Sequence, residues 1–228
     1  MSGPLDPSMM LHGYASGVFP MSDSRDTDDL FWVEPRHRAI LPLDGFRLSR
    51  SLAKRLRSGR FRVSVDTAFA DVVAGCADRE ETWINGPIER AMLDLFDKGF
   101  GHSVEVWEDE ALVGGLYGVA LGRAFFGESM FSRATDASKV ALAALVARLR
   151  TGHFTLLDCQ FMTPHLASLG AVEIPRTRYL QLLGVALERS SADPSAWESF
   201  DGLLSSSGEP ASSAAAGKFI AQLLGQTS

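Results

Sequence analysis

The sequence predicts an α+β protein in which a small N-terminal lobe precedes a larger domain built on a mixed, mainly antiparallel sheet. Two observations carry that reading. Three strand-like runs, 103–107, 111–120 and 123–132, follow one another with only Glu108-Asp109-Glu110 and Leu121-Gly122 between them, the spacing of an antiparallel meander. On either side the apolar residues recur instead at helical spacing, in Ile88, Met92, Leu95 and Phe96 and again in Leu142, Leu145, Val146 and Leu149. With 46% apolar and 22% charged residues in 228, the chain has a globular balance and enough length to bury a core without disulfide or metal staples.

Residues 1–60, rich in Pro, Asp and Arg, form the lobe, with turn-like sequence over 17–29 and one helix over 49–57. The larger domain occupies 61–190. It opens with a strand over 61–65 and a helix reaching Cys76, for which Asp66 is the candidate N-cap. The next helix is better marked, because Asn85 can cap it, Pro87 sits in its first turn and Gly99 can close it. After the meander, Asp136 or Ser138 opens a helix that ends near Gly152. Residues 155–160 read as a buried strand, Thr163-Pro164 as the start of a short helix closed by Gly170, 171–175 as a strand and 178–187 as a helix. Over 191–228 the chain reads as a flexible tail, with a Ser/Ala/Gly/Pro linker at 205–217 and a short amphipathic patch from Lys218 to Leu224.

The formal charge of −6 hides an asymmetry. Between Arg36 and Arg62 lie nine basic residues against the single acid Asp44, so this segment can attract phosphate while the rest of the chain repels it. Arg50, Lys54 and Arg57 on the helix at 49–57 are the candidate phosphate contacts. Two distant cysteines and five histidines without ligand spacing predict neither disulfide nor metal site. The chain has no apolar run of membrane-spanning length and no basic-then-apolar leader, which points to a cytoplasmic protein with no membrane partner.

Chemistry is concentrated in two strands. In Thr155-Leu156-Leu157-Asp158-Cys159-Gln160, alternation puts Asp158 and Gln160 on one face, and a carboxylate among apolar neighbours is costly unless paired or used. A structural Asp that accepts backbone bonds and a proton-transfer Asp both fit that position. Glu128 lies in a second strand, among Phe125, Phe126, Met130 and Phe131, where an anion in an apolar cleft would suit a cationic ligand. Trp83 and Trp32 offer faces for a base. The meander, helix and following strand suggest a GNAT-like (acyl-CoA N-acyltransferase-like) domain. The stretch 132–138 that would hold a pyrophosphate has no glycine, which disfavours CoA.

The phrases Gly17-Val18-Phe19-Pro20, Thr82-Trp83-Ile84, His102-Ser103-Val104-Glu105-Val106-Trp107, Gly114-Gly115-Leu116-Tyr117-Gly118, 127–132, Leu157-Asp158-Cys159-Gln160 and Ser168-Leu169-Gly170-Ala171 together resemble the leucyl/phenylalanyl-tRNA-protein transferase family, over residues 10–187. The resemblance implies a GNAT-like C-terminal domain and transfer of Leu or Phe, with Met tolerated, from aminoacyl-tRNA to the N-terminal Arg or Lys of a protein, which marks that protein for degradation by the N-end rule. No cofactor is expected, since the ester is already activated, and the chain is expected to be a monomer. The resemblance assigns Asp158, Gln160 and Glu128 to the reaction centre, Trp83 to adenosine, and Leu116, Phe125, Leu145, Leu149 and Leu157 to the aminoacyl pocket. Met21 stands where the family often has Trp, so Met21 or Trp32 would complete the adenosine site. Whether Asp158 is a base or an orienting group stays open. Two alternatives remain: a CoA-dependent N-acyltransferase of the same fold, and a non-catalytic RNA-binding protein that needs the basic segment alone.

Overall fold

The computed structural model describes residues 5–188, 195–206 and 212–225. Its centre is a seven-stranded sheet of β4 (Arg62–Val65), β5 (Gly101–Glu108), β6 (Ala111–Leu121), β7 (Ala124–Ser132), β8 (Leu156–Asp158), β3 (His37–Ile40) and β9 (Val172–Pro175), in that order. Only β7 and β8 pair in parallel; every other neighbouring pair is antiparallel. The meander is the strip β5-β6-β7. A separate ribbon of β1 (Phe19–Met21) and β2 (Phe31–Val33) belongs to the N-terminal end.

Alternation sends neighbouring residues into two cores. Leu116, Phe125 and Leu157 face one, with α5 (Ala137–Thr151), while Tyr117, Phe126 and Leu156 face the other, with α1 (Pro7–Ala15), α3 (Phe69–Ala77) and α4 (Gly86–Asp97). Two further helices, α6 (Pro164–Ser168) and α7 (Arg176–Glu188), flank β9. The expected cap at Asn85 is present, its side chain accepting from Ile88 N–H at 3.0 Å. Asp66 does not cap α3. It lies in the left-handed region at φ 56 and its carboxylate takes Ser103 N–H at 2.7 Å and the indole of Trp197 at 2.8 Å. Asp136 precedes α5 but makes no cap bond; it pairs instead with Lys139 and Arg55.

The boundary expected near residue 60 does not divide the sheet. Residues 39–41 are an apolar run that is buried when β3 slots between β8 and β9, and α2 (Arg50–Arg57) then packs its Leu52 and Leu56 onto the α5 side. The helix α1 was also unforeseen, although Asp6-Pro7 is an N-cap and N1 pair, with Asp6 accepting from Met9 N–H.

The expected flexible tail is helical in its described parts. A physical reason was present in α5, whose residues from Ala137 to Leu149 are apolar on almost every side: a helix of that kind needs cover on its outer face as well. The cover is α8 (Ser195–Ser206) and α9 (Ser213–Gly225), which bury Trp197, Phe200, Ile220 and Leu224. The Ala-rich start of α9 suits a helix as readily as a linker; residues 207–211 of the expected linker lie outside the described residues. Trp197 stacks on Phe125 at 5.5 Å and on His102 at 4.1 Å, and Arg148 binds Asp201 through both Nη atoms, at 2.9 and 2.6 Å. Trp197→Ala is therefore expected to cost about 3–5 kcal/mol, as for other buried Trp truncations. A thermal melt checks it, and a melt like that of the unsubstituted protein would return the segment to a free tail.

Candidate active site

The parallel pairing of β7 with β8 ends at Phe126 and Asp158. Just beyond, both strands leave regular geometry. In β7, Gly127 faces Gly118 and Ser129 faces Tyr117, so Glu128 is an extra, unpaired residue, a β-bulge that re-aims its side chain. In the other strand, Gln160 takes φ 59, a left-handed conformation uncommon for a side-chain-bearing residue. A cavity of about 240 Å³ opens where the pairing stops, walled by Leu116, Met130, Leu142, Leu145, Leu157 and Leu166 on the apolar side and by Tyr117, Glu128, Ser129 and Gln160 on the polar side.

A closed hydrogen-bond network supports the polar side. Glu128 Oε1 accepts from the Tyr14 hydroxyl and from Gln160 Nε2, each at 2.9 Å, while its Oε2 is buried without a partner. Burial pushes the Glu128 carboxyl up to about 8; the Tyr14 bond opposes this and the negative charge of Asp158 adds to it. Near neutral pH the unliganded carboxyl therefore mostly holds a proton, and a cation arriving beside it would release that proton. Asp158 lies behind the wall. Its Oδ1 takes Arg38 Nε at 2.9 Å and Gln160 N–H at 2.8 Å; its Oδ2 takes Arg38 Nη2 at 2.6 Å and the Tyr179 hydroxyl at 2.8 Å. Arg38 and Asp158 are both essentially inaccessible to solvent. Cys159 also lines the cavity, but burial pushes its thiol well up, the opposite of what a thiolate nucleophile needs.

Of the expected pocket residues, Leu116, Leu145 and Leu157 line the cavity. Phe125 and Leu149 do not: Phe125 is sealed behind it by Trp197, and Leu149 is buried in the same core. Asp158 is adjacent to the cavity, Gln160 and Glu128 are in it. Trp83 is half-buried before α4, Met21 packs on the core of that side, and Trp32 lies over Gly13, where a Cβ would come within 2.2 Å of its ring. None of the three lines the cavity. Arg50, Lys54 and Arg57 are exposed and make no ion pair among the described residues, whereas Arg55 is held by Asp136 and Arg60 by Glu108. Arg38, counted in the basic run, is not a surface cation at all.

With this geometry in view, a sequence model for the leucyl/phenylalanyl-tRNA protein transferase matches residues 40–184, and one for that protein's N-terminal domain matches 3–36. The chain belongs to this family. Similar curated proteins, each named leucyl/phenylalanyl-tRNA–protein transferase, include one from Cereibacter sphaeroides, 62% identical over 82% of this chain and 88% of the relative. One from Rhizorhabdus wittichii is 63% identical over 80% and 75%, and one from Zymomonas mobilis 56% identical over 89% and 78%. A solved DUF2156 domain from Agrobacterium fabrum overlaps 85% of this chain and 62% of that chain with 12% identity at a TM-score of 0.38, too slight to carry an argument about fold. The protein is thus an aminoacyltransferase.

Sequence reasoning missed four residues of this candidate site. Tyr14 and Tyr179 bind the two carboxyls from α1 and α7, and nothing in their local pattern marks them apart from core tyrosines. Arg38 was obscured by the basic residues around it, although Ala39-Ile40-Leu41 beside it signalled a strand entering the core. His165 lines the same cavity with its Nε2 buried and unpartnered, a position set by how α6 packs.

Proposed function

We propose that the transferase moves Leu or Phe, with Met tolerated, from aminoacyl-tRNA to the N-terminal Arg or Lys of acceptor proteins, on a GNAT-like domain and as a monomer. The observation that carries this reading is the juxtaposition, in one cavity, of an apolar wall and a protonatable Glu128 with one unpartnered oxygen. The aminoacyl side chain suits Leu116, Leu145 and Leu157, which offer no partner to a charge, and one methylene there is worth only about 1–3 kcal/mol, so Leu, Phe and Met should overlap. An acceptor cation suits Glu128, whose charge its arrival would restore.

The ester is already activated, so the acceptor α-amine attacks its carbonyl carbon directly. The α-ammonium first gives one proton to solvent; as the new C–N bond forms and the bond to the terminal ribose oxygen breaks, the proton that the attacking nitrogen then sheds passes to that oxygen, which leaves as a hydroxyl. With its Nε2 held by Glu128, Gln160 has its carbonyl oxygen free to accept from the amine and align it, which is positioning catalysis. Asp158, with both oxygens engaged, acts through Gln160 as an orienting group. A CoA-dependent reading finds no glycine in 132–138 for a pyrophosphate. Incubating the protein with labelled leucyl-tRNA and an Arg-initiated peptide tests the function: label in the peptide supports it, and label only on tRNA or free leucine defeats it.

The tRNA backbone contacts proposed for Arg50, Lys54 and Arg57 lie along α2, opposite its buried Leu52 and Leu56. Replacing all three by Ala should weaken every tRNA alike and flatten the salt dependence by about 0.7–0.9 log unit per lost contact. Binding measured at several salt concentrations decides it; an unchanged slope makes the face merely solvated.

A further inference from the structure

Resting on the reading just proposed, we infer that Arg38 is a positioning residue of the transfer reaction: it holds Gln160 through Asp158 and clamps the N-terminal end of the chain onto the catalytic strand. The chain of contacts is continuous. Arg38 Nη1 donates to Gly17 O at 3.3 Å, in the turn between α1 and β1, and its guanidinium lies 4.5 Å from the Phe19 ring centroid and 4.7 Å from that of Tyr179. The other edge of the guanidinium makes the fork on Asp158. Asp158 in turn accepts Gln160 N–H, and the β3 backbone closes the turn from outside, Ala39 N–H donating to Gln160 O at 3.0 Å and Ala39 O accepting from Cys159 N–H at 2.9 Å.

Gln160 needs that support. A non-glycine residue in the left-handed region is strained and persists only where its surroundings over-determine it. Its side chain then reaches Glu128 in the cavity. Tyr14, from the same N-terminal end as Gly17 and Phe19, grips Glu128 directly. The lobe therefore holds both carboxyls, one by a phenol and one through Arg38, and any loosening of it would disturb the two groups together.

A buried ion pair that served the fold alone would show itself only as lost stability, strongly when one partner is removed and weakly when both are replaced by neutral groups. The full-length protein is compared with Arg38→Lys, which keeps the charge but not the planar fork, and with Arg38→Met combined with Asp158→Asn, which leaves no unpaired buried charge. Three quantities are read: melting temperature, leucyl-tRNA affinity, and the single-turnover rate to an Arg-initiated peptide at saturating tRNA and peptide. Hydrogen exchange of the Gln160 amide supplies a readout independent of activity.

The expected result is a rate at least tenfold lower in both variants, with tRNA affinity within twofold and Gln160 exchange at least tenfold faster, in protein that still melts cooperatively. Should the doubly substituted protein fail to fold, Arg38→Lys decides alone by the same criteria. Unchanged transfer with unchanged Gln160 exchange overturns the inference, as does a fall in rate matched by an equal fall in tRNA affinity, which would make the pair a support of the fold. If the unsubstituted protein transfers nothing, the proposed function fails; Gln160 exchange still judges whether Arg38 holds the turn.

Discussion

Glu128→Gln is expected to slow transfer to an Arg-initiated peptide by about 10²-fold or more while leaving leucyl-tRNA affinity nearly unchanged. Removing one partner of a buried charge pair costs about 2–5 kcal/mol, and the loss falls on the acceptor because the carboxyl faces the cavity and not the basic surface of α2. The same substitution should stabilise the acceptor-free protein at high pH. The carboxyl titrates at about 8 when folded against an ordinary 4.5, so between these values the folded state holds a proton that the unfolded chain has released. Stability from this group is fully present below 4.5 and is lost as pH rises through 8. Gln cannot ionise. At about pH 9 the variant should melt several degrees above the unsubstituted protein, and near pH 4 the two should coincide. Paired melts at these pH values check the sign; a variant that melts lower at high pH would mean that Glu128 is ionised and stabilising in the empty site.

Gly118→Ala should remove both stability and activity. A Cβ at this position would stand 2.2 Å from the carbonyl oxygen of Phe126 and 2.5 Å from the Phe125 ring, and the first of these is backbone that cannot swing away. Relief requires the β6–β7 pair to shift at the bulge that aims Glu128. Overpacking of this kind costs about 1–3 kcal/mol or more, and the melt should fall by several degrees. Gly127→Ala is the milder comparison, since its Cβ would meet only Asp158 O at 3.2 Å. Transfer rates and melts of the two variants test the bulge. Near-normal transfer by Gly118→Ala would show that the bulge does not aim the acid.

What could be read beforehand follows from which signals are local. The meander and the cap at Asn85 depend on residues within one turn or one hairpin, and they stand as expected; the stripe on α5 is present but belongs to a helix buried on almost every side. Gln160 was singled out by alternation and Glu128 as a carboxyl among apolar neighbours, but neither signal contains the geometry that brings the two together. Alternation alone does not bring Gln160 to the cavity, because β8 ends at Asp158 and a left-handed turn supplies the rest; nor does it aim Glu128, because a bulge interrupts β7. Arg38 illustrates the limit differently. Its neighbours are surface cations, and only the burial of Ala39 to Leu41 between β8 and β9 turns it inward to Asp158. Phe125 and Leu149 were assigned to the pocket by resemblance, whereas α8 fills the space behind Phe125 with Trp197, a contact between residues far apart in the chain.

A crystal structure with a stable amide analogue of leucyl-adenosine tests the central claim most directly. The leucyl side chain is expected among Leu116, Leu145 and Leu157, with the carbonyl carbon facing Gln160 and room for an amine beside Glu128. An analogue bound with its leucyl group outside the opening between β7 and β8, or with Glu128 and Gln160 turned away from the carbonyl, would contradict it.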